Sequence, residues 1–164
     1  MSGDVFVDAA LFMGMHSRDA ELRNACKRFF ADRIDGRVVM SLEQVGRCDD
    51  LVWGYPREVQ DAYYPFMDRL HTDMEIHRVG YDEKDVRAAW DDPRLHGLPA
   101  HERLAVAQAL NRGGRLHTAS PRLAARTDLP VEAVGPLAWE PSFPDHLERH
   151  YRDSLVLTVV ADQL

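Results

Sequence analysis

The stretch "LPAHERLAVAQALNRGGRLHTAS", Leu98 to Ser120, decides the fold. Its first half is helical. Pro99 suits a first helical turn, and Leu104, Ala107 and Leu110 recur at the spacing of one helix face. Gly113 and Gly114 stop the helix. "RLHT" is then a short strand, with Thr118 and Ser120 where it runs out. Glu102 stands at the helix start, where the macrodipole favours an acid.

The same unit recurs outward from this stretch. "DVFVD", Asp4 to Asp8, is an apolar run closed by aspartate and predicts a buried first strand. "SRDAELRNACKRFFADR" predicts a helix capped by Ser17, with Leu22, Cys26, Phe29 and Phe30 on its inner face. "VVMS" is a second strand ending near Ser41, and "LEQVGRCDDLVWG" a helix stopped by Gly54. A helix from about Pro56 follows, which Pro65 is expected to kink or split. "MEIHRVGY" is a third strand, "DEKDVRAAW" a helix capped by Asp82, "DDPRLHG" a loop, and "VEAV" a candidate fifth strand.

Short strands alternating with helices give a three-layer α/β fold: a mainly parallel central sheet flanked by helices. The tail adds a helix, "PDHLERHYRDS", and an apolar β-branched run, "LVLTVV". That run is expected to be an edge strand or to pair with a second copy of the chain. The 164 residues suit one domain, with 1–138 as core and 139–164 as a C-terminal extension.

Bulk properties narrow the function classes. A hydrophobic share of 45% with 29% charged residues is an ordinary globular balance. No apolar run approaches the roughly 20 residues of a membrane span, and no signal-peptide pattern opens the chain. A cytoplasmic location and no membrane partner are the expectations. Cys26 and Cys48 form no metal-binding pair and read as buried thiols. The net charge of −7 excludes an extended basic nucleic-acid face, though not a local basic rim.

In an open α/β sheet, ligands bind beyond the carboxyl ends of the strands. Asp8 ends the first strand, Ser41 and Glu43 follow the second, and Thr118 and Ser120 follow the fourth. Glu102 reaches the same edge from its helix. Singly, such acids are turn, cap or dipole residues. Jointly they repel unless a cation neutralises them or protons are taken up. All-oxygen ligands favour Mg2+ or Mn2+.

This layout resembles the PIN domain, a metal-dependent nuclease fold. "VFVDAALFM" is similar to its first motif, a strand ending in a metal-binding acid, here Asp8. "LPAHERLAVAQAL" is similar to the family's acid-bearing helix, with Glu102 in place of the central aspartate. "LHTAS" is similar to its closing strand end: Thr118 matches and Ser120 replaces the last acid. In the second motif the slot counted from Ser41 falls near Arg47. Glu43 lies one turn earlier and is assigned the role, with Asp50 as the other candidate. The resemblance runs from about residue 4 to 135.

The resemblance implies a Mg2+- or Mn2+-dependent ribonuclease with catalytic residues Asp8, Glu43, Glu102 and Ser120. Asp8, Glu43 and Glu102 hold the metal, and Thr118, Arg103 and Arg122 contact RNA. The altered positions imply an alternative, a catalytically inactive PIN-like binding or assembly module. Expected partners are RNA, a protein partner or inhibitor, and a second copy in a homodimer formed through "LVLTVV" or the aromatic helix around Tyr63. Tyr63, Tyr64 and Phe66 are base-stacking candidates that more often pack a core. His146 and His150 share a helix face that ranks well below the acidic edge as a metal site.

Overall fold

A computed structural model describes residues 3–164; the first two residues of the expected 1–138 core lie outside the described residues. Strands β1 (Val5–Val7), β2 (Arg37–Ser41), β3 (Glu75–Val79), β4 (Arg115–Thr118) and β5 (Val131–Ala133) form one sheet in the order β3-β2-β1-β4-β5. Every pairing is parallel. The chain steps outward from β1 to β3 and then returns to place β4 on the other side of β1. The β1–β4 seam is therefore the topological switch point.

The helices are α1 (Ala9–Gly14), α2 (Ala20–Ala31), α3 (Leu42–Trp53), α4 (Arg57–Asp73), α5 (Glu83–Asp91), α6 (Ala100–Asn111), α7 (Pro121–Ala124) and α8 (Asp145–Ser154). Strand side chains alternate between two cores, as a pleated sheet requires. Val7, Val38 and Met40 join one, with Phe12, Phe30, Phe66 and Tyr151. Phe6, Val39 and Leu116 join the other, with Ala105, Ala107 and Ala109 of α6. The three-layer parallel α/β fold expected from the sequence is the observed one.

Several local expectations change. Asp19, not Ser17, caps α2, its Oδ1 accepting from the amides of Glu21 and Leu22. Ser17 accepts from the Asp19 amide instead. Pro65 neither splits nor ends α4, which is continuous. Pro65 and Asp61, whose carbonyl loses its amide partner, are both exposed, so water takes the lost bond. Leu104 and Leu110 are only half-buried; α6 buries an unbroken run from Ala105 to Ala109 because it packs against both the sheet and α5. "DDPRLHG" contains a short 3-10 turn at Pro93–Leu95.

The tail keeps its helix and loses its strand. Among the described residues "LVLTVV" makes one isolated bridge, Val159 with Ser17, and buries Leu157 and Val159 in the core. Leu155 and Leu157 bond back to the end of α8, and Val159 bonds to His16 and Arg18 in the loop between α1 and α2, so the run adds no edge strand. Tyr63 and Phe66 are fully buried, which removes them as base-stacking surfaces, while Tyr64 is half-buried on α4.

Gly114 shows why "NRGG" closes α6. Gly113 adopts φ +66. A Cβ on Gly114 would lie 2.4 Å from the Asp4 carbonyl oxygen and 2.7 Å from the Phe6 ring, so only glycine lets β4 start beside β1.

Candidate functional site

Five of the candidate residues, Asp8, Thr118, Ser120, Glu102 and Arg122, meet at the carboxyl edge of the β1–β4 seam. Asp8 ends β1 and caps α1, its Oδ1 accepting from the Leu11 amide at 2.8 Å. Its Oδ2 accepts from the Thr118 hydroxyl at 2.5 Å. Thr118 in turn accepts from the Ser120 amide at 2.9 Å. The register Val7↔His117 makes this possible, because it sets the residues after β1 beside those after β4. Glu102 arrives from the first turn of α6. Its Oε2 accepts from the Ser120 hydroxyl at 2.5 Å, and its Oε1 from Arg122 Nε at 2.7 Å.

Both carboxylates are buried, Asp8 to 5% exposure and Glu102 to 4%. Burial pushes the Asp8 carboxyl up to about 6, and the nearby Glu102 charge adds to that rise. The hydrogen bonds from Thr118 and Leu11 oppose it.

The remaining candidates do not join them. Glu43 does not line this cleft. Its carboxylate accepts from the Tyr81 hydroxyl at 3.0 Å, and Tyr81 accepts from Ser41 at 3.0 Å. Tyr81, two residues past β3, thus holds the Glu43 carboxylate beside the cleft rather than in it. Asp50 is exposed and also outside the cleft. Arg103 donates to the Leu98 carbonyl at 2.8 Å and stacks on Trp90, so its guanidinium is not free for a ligand in the cleft. Of the residues at the seam, Thr118 is fully buried and holds Asp8 rather than presenting a surface.

The face of α3 that does reach the cleft carries Gln44, Arg47 and Leu51. The sequence reading missed Gln44, although "SLEQ" is an S-x-x-Q signature with Ser41 as the cap. Ser41 accepts from the Gln44 amide at 3.1 Å. The Gln44 side chain then accepts from the Ala9 amide at 2.8 Å, bracing the turn after Asp8. His101 borders the cleft half-buried, and burial together with Arg47 lowers its pKa. Gln163 and Leu164 close the remaining side. The space left is about 30 Å3, room for roughly two waters.

These donors do not fit a hard divalent cation. The two carboxylates that converge are already occupied, Asp8 by two donors and Glu102 by Ser120 and Arg122. The second-acid slot holds Arg47, whose charge repels a metal ion. Among the described residues no group of three or more His, Cys, Asp and Glu side chains is arranged to hold one. That includes the helix of His146, which donates to Asp73 at 2.7 Å instead.

No curated protein matches the chain. Among solved structures it is similar to VapBC2 from Rickettsia felis bound to a DNA fragment from their promoter. The TM-score is 0.57 at 10% identity, over 80% of this chain and 98% of that one. At that identity the likeness shows the fold alone, and the five-stranded parallel sheet between helical layers is consistent with a PIN-like fold. No helix among the described residues is long and apolar enough to cross a membrane. A model built for a family of unknown function, DUF6190, matches residues 1–164, and the chain belongs to that family.

Proposed function

We propose that this chain is a PIN-like binding or assembly module whose nuclease-type cleft has been neutralised from within. One observation carries the reading: Arg122 sits on Glu102 at 2.7 Å, so a guanidinium stands where an acidic edge would otherwise require a metal ion. Two further features support it. Arg47 and Gln44 occupy the cleft face of α3 in place of an acid. The space beside Asp8 is too small for a phosphodiester. The partner class this reading favours is protein or nucleic acid, by analogy with the VapBC2 assembly on DNA.

Calorimetry with Mn2+ near neutral pH, beside an RNA cleavage assay on pure protein, tests it. No stoichiometric binding and no cleavage are the expected results. Tight Mn2+ binding with cleavage that is lost in Asp8→Asn and Glu102→Gln would replace this reading with the second one. That second reading is a Mg2+- or Mn2+-dependent ribonuclease, favoured by the convergence of Asp8, Glu102 and Ser120 on one strand edge. In it the ion supplies an activated water. The expected homodimer is a separate proposal, which sedimentation of the pure chain tests.

A further inference from the structure

A second concavity lies between α3 and α4, away from the strand-end cleft, with a volume of about 400 Å3. That is within the range of small-molecule sites. Its floor is apolar and soft: Phe12, Met40 and Cys48, all buried. Its mouth is polar, with Asp68, His71 and Arg78 among the groups there.

Two of these groups, Asp68 and Arg78, are free to meet a ligand, and His71 has one ring nitrogen to spare. Asp68 and Arg78 carry opposite charges on the same rim, and neither side chain makes an ion pair or hydrogen bond among the described residues. His71 places Nδ1 2.9 Å from the Met67 carbonyl oxygen. A carbonyl only accepts, so Nδ1 carries the proton. Burial lowers the His71 pKa, which keeps the ring neutral and leaves the Nε2 lone pair as an unused acceptor. An anionic ligand would satisfy Arg78 and be repelled by Asp68 and by Asp49, whose carboxylate accepts from the Tyr64 hydroxyl at 3.2 Å, while a cationic one would leave Arg78 unmet. A ligand bearing both charges on an apolar body satisfies all three groups and covers the floor.

We propose that this groove binds a small zwitterion with an apolar side chain, a free amino acid or a dipeptide. Its carboxylate meets Arg78, its ammonium meets Asp68 and His71 Nε2, and its side chain rests on Phe12, Met40 and Cys48. Such a site is independent of the strand-end cleft and of the reading given for it.

Titration calorimetry and thermal shift on the full chain test this, with L-leucine, L-phenylalanine and L-leucyl-L-phenylalanine as probes. At least one binds and raises the melting temperature with concentration. Whether amino acid or dipeptide binds tighter distinguishes the two sources. Phenethylamine, which lacks the carboxylate, and hydrocinnamate, which lacks the ammonium, bind at least about tenfold more weakly. Arg78→Gln and Asp68→Asn, both at exposed positions, each cause a similar loss without changing the melting temperature of the free protein. The proposal is overturned if none of the three zwitterions binds, or if binding is the same for the single-charge analogues or in the two variants.

Discussion

Arg122 donates from Nε to Glu102 Oε1 at 2.7 Å, and this pair joins a half-exposed guanidinium to a carboxylate that is almost wholly buried. The pair ties α7 to α6 and removes the negative charge that a metal ion would seek. Arg122→Gln should therefore bring Mn2+ binding into the range calorimetry detects, where the native chain shows none. Because Glu102 is buried and would keep only Ser120, the stability cost should be about 3 kcal/mol in urea unfolding. Unchanged Mn2+ affinity in this variant would mean that Arg122 is not what keeps a metal off.

Asp8 sets up a pH dependence of the opposite sign to an ordinary carboxylate. Its folded pKa is raised from 3.8 to about 6, chiefly by burial. The stability tied to its neutral form is fully present below 3.8 and is lost as the pH rises through about 6. At one pKa unit per 1.36 kcal/mol, the loss is on the order of 3 kcal/mol at most. Asp8→Asn stays neutral at every pH; its Oδ1 can still accept from the Leu11 amide, while its Nδ2 donates to a Thr118 hydroxyl that must turn to accept. Its advantage over the native chain should be small near pH 4 and grow to roughly 2 kcal/mol by pH 7.5. Chemical denaturation at the two pH values measures it. An advantage independent of pH would show that the Asp8 charge is not the cause.

His16 works in the opposite direction. Ser154 donates to the Tyr151 carbonyl at 2.6 Å, so its oxygen accepts from His16 Nε2 at 2.7 Å. Nδ1 is then a bare lone pair, buried and without a partner among the described residues. The ring is enclosed by Tyr63, Phe66 and Tyr151. Burial lowers its pKa from 6.5 to about 3. This stability is present above 6.5 and is lost as the pH falls toward 3. His16→Phe removes that titration. The native chain should lose on the order of 4 kcal/mol relative to the variant between pH 7 and pH 3. Parallel acid unfolding curves for the two proteins would disprove it.

Most of the fold and part of the site can be read from local patterns. The alternation of helices and strands follows from apolar spacing, and "VFVD", "HERLA" and "LHTAS" mark the residues that meet at the β1–β4 seam. Glu43 and Arg47 differ by one helical turn, so spacing alone gives both the same direction. What separates them is the Tyr81 hydroxyl, which is 38 residues from Glu43 and draws its carboxylate aside. The Arg122–Glu102 pair and the closure of the cleft by Leu164 are likewise tertiary, with no periodic signal. "LVLTVV" has every local mark of a strand and fails to be one because its first half turns back onto α8 and Val159 bonds to the loop after α1.

Lys27 ties the last 25 or so residues to the sheet-bearing core, and its substitution separates charge from packing. The side chain is fully buried. It donates to Glu148 at 2.9 Å and Glu140 at 3.3 Å, with its ammonium 4.5 Å from the centre of the Tyr151 ring. Both glutamates keep Arg152 when the lysine is removed, and Glu148 also accepts from the Phe143 amide. Neither acid is left as a bare buried charge. Lys27→Met retains most of the volume against Phe143 and Tyr151 and should cost about 1 kcal/mol. Lys27→Ala loses the same charge and opens a cavity as well, for about 3 kcal/mol. The larger loss should be accompanied by faster proteolysis within residues 135–142, the segment that Lys27 and Asn24 hold against α2. Equal losses in the two variants would assign the docking to the ion pair alone, and no loss in either would assign it to the apolar contacts of Phe143, Leu147 and Leu157.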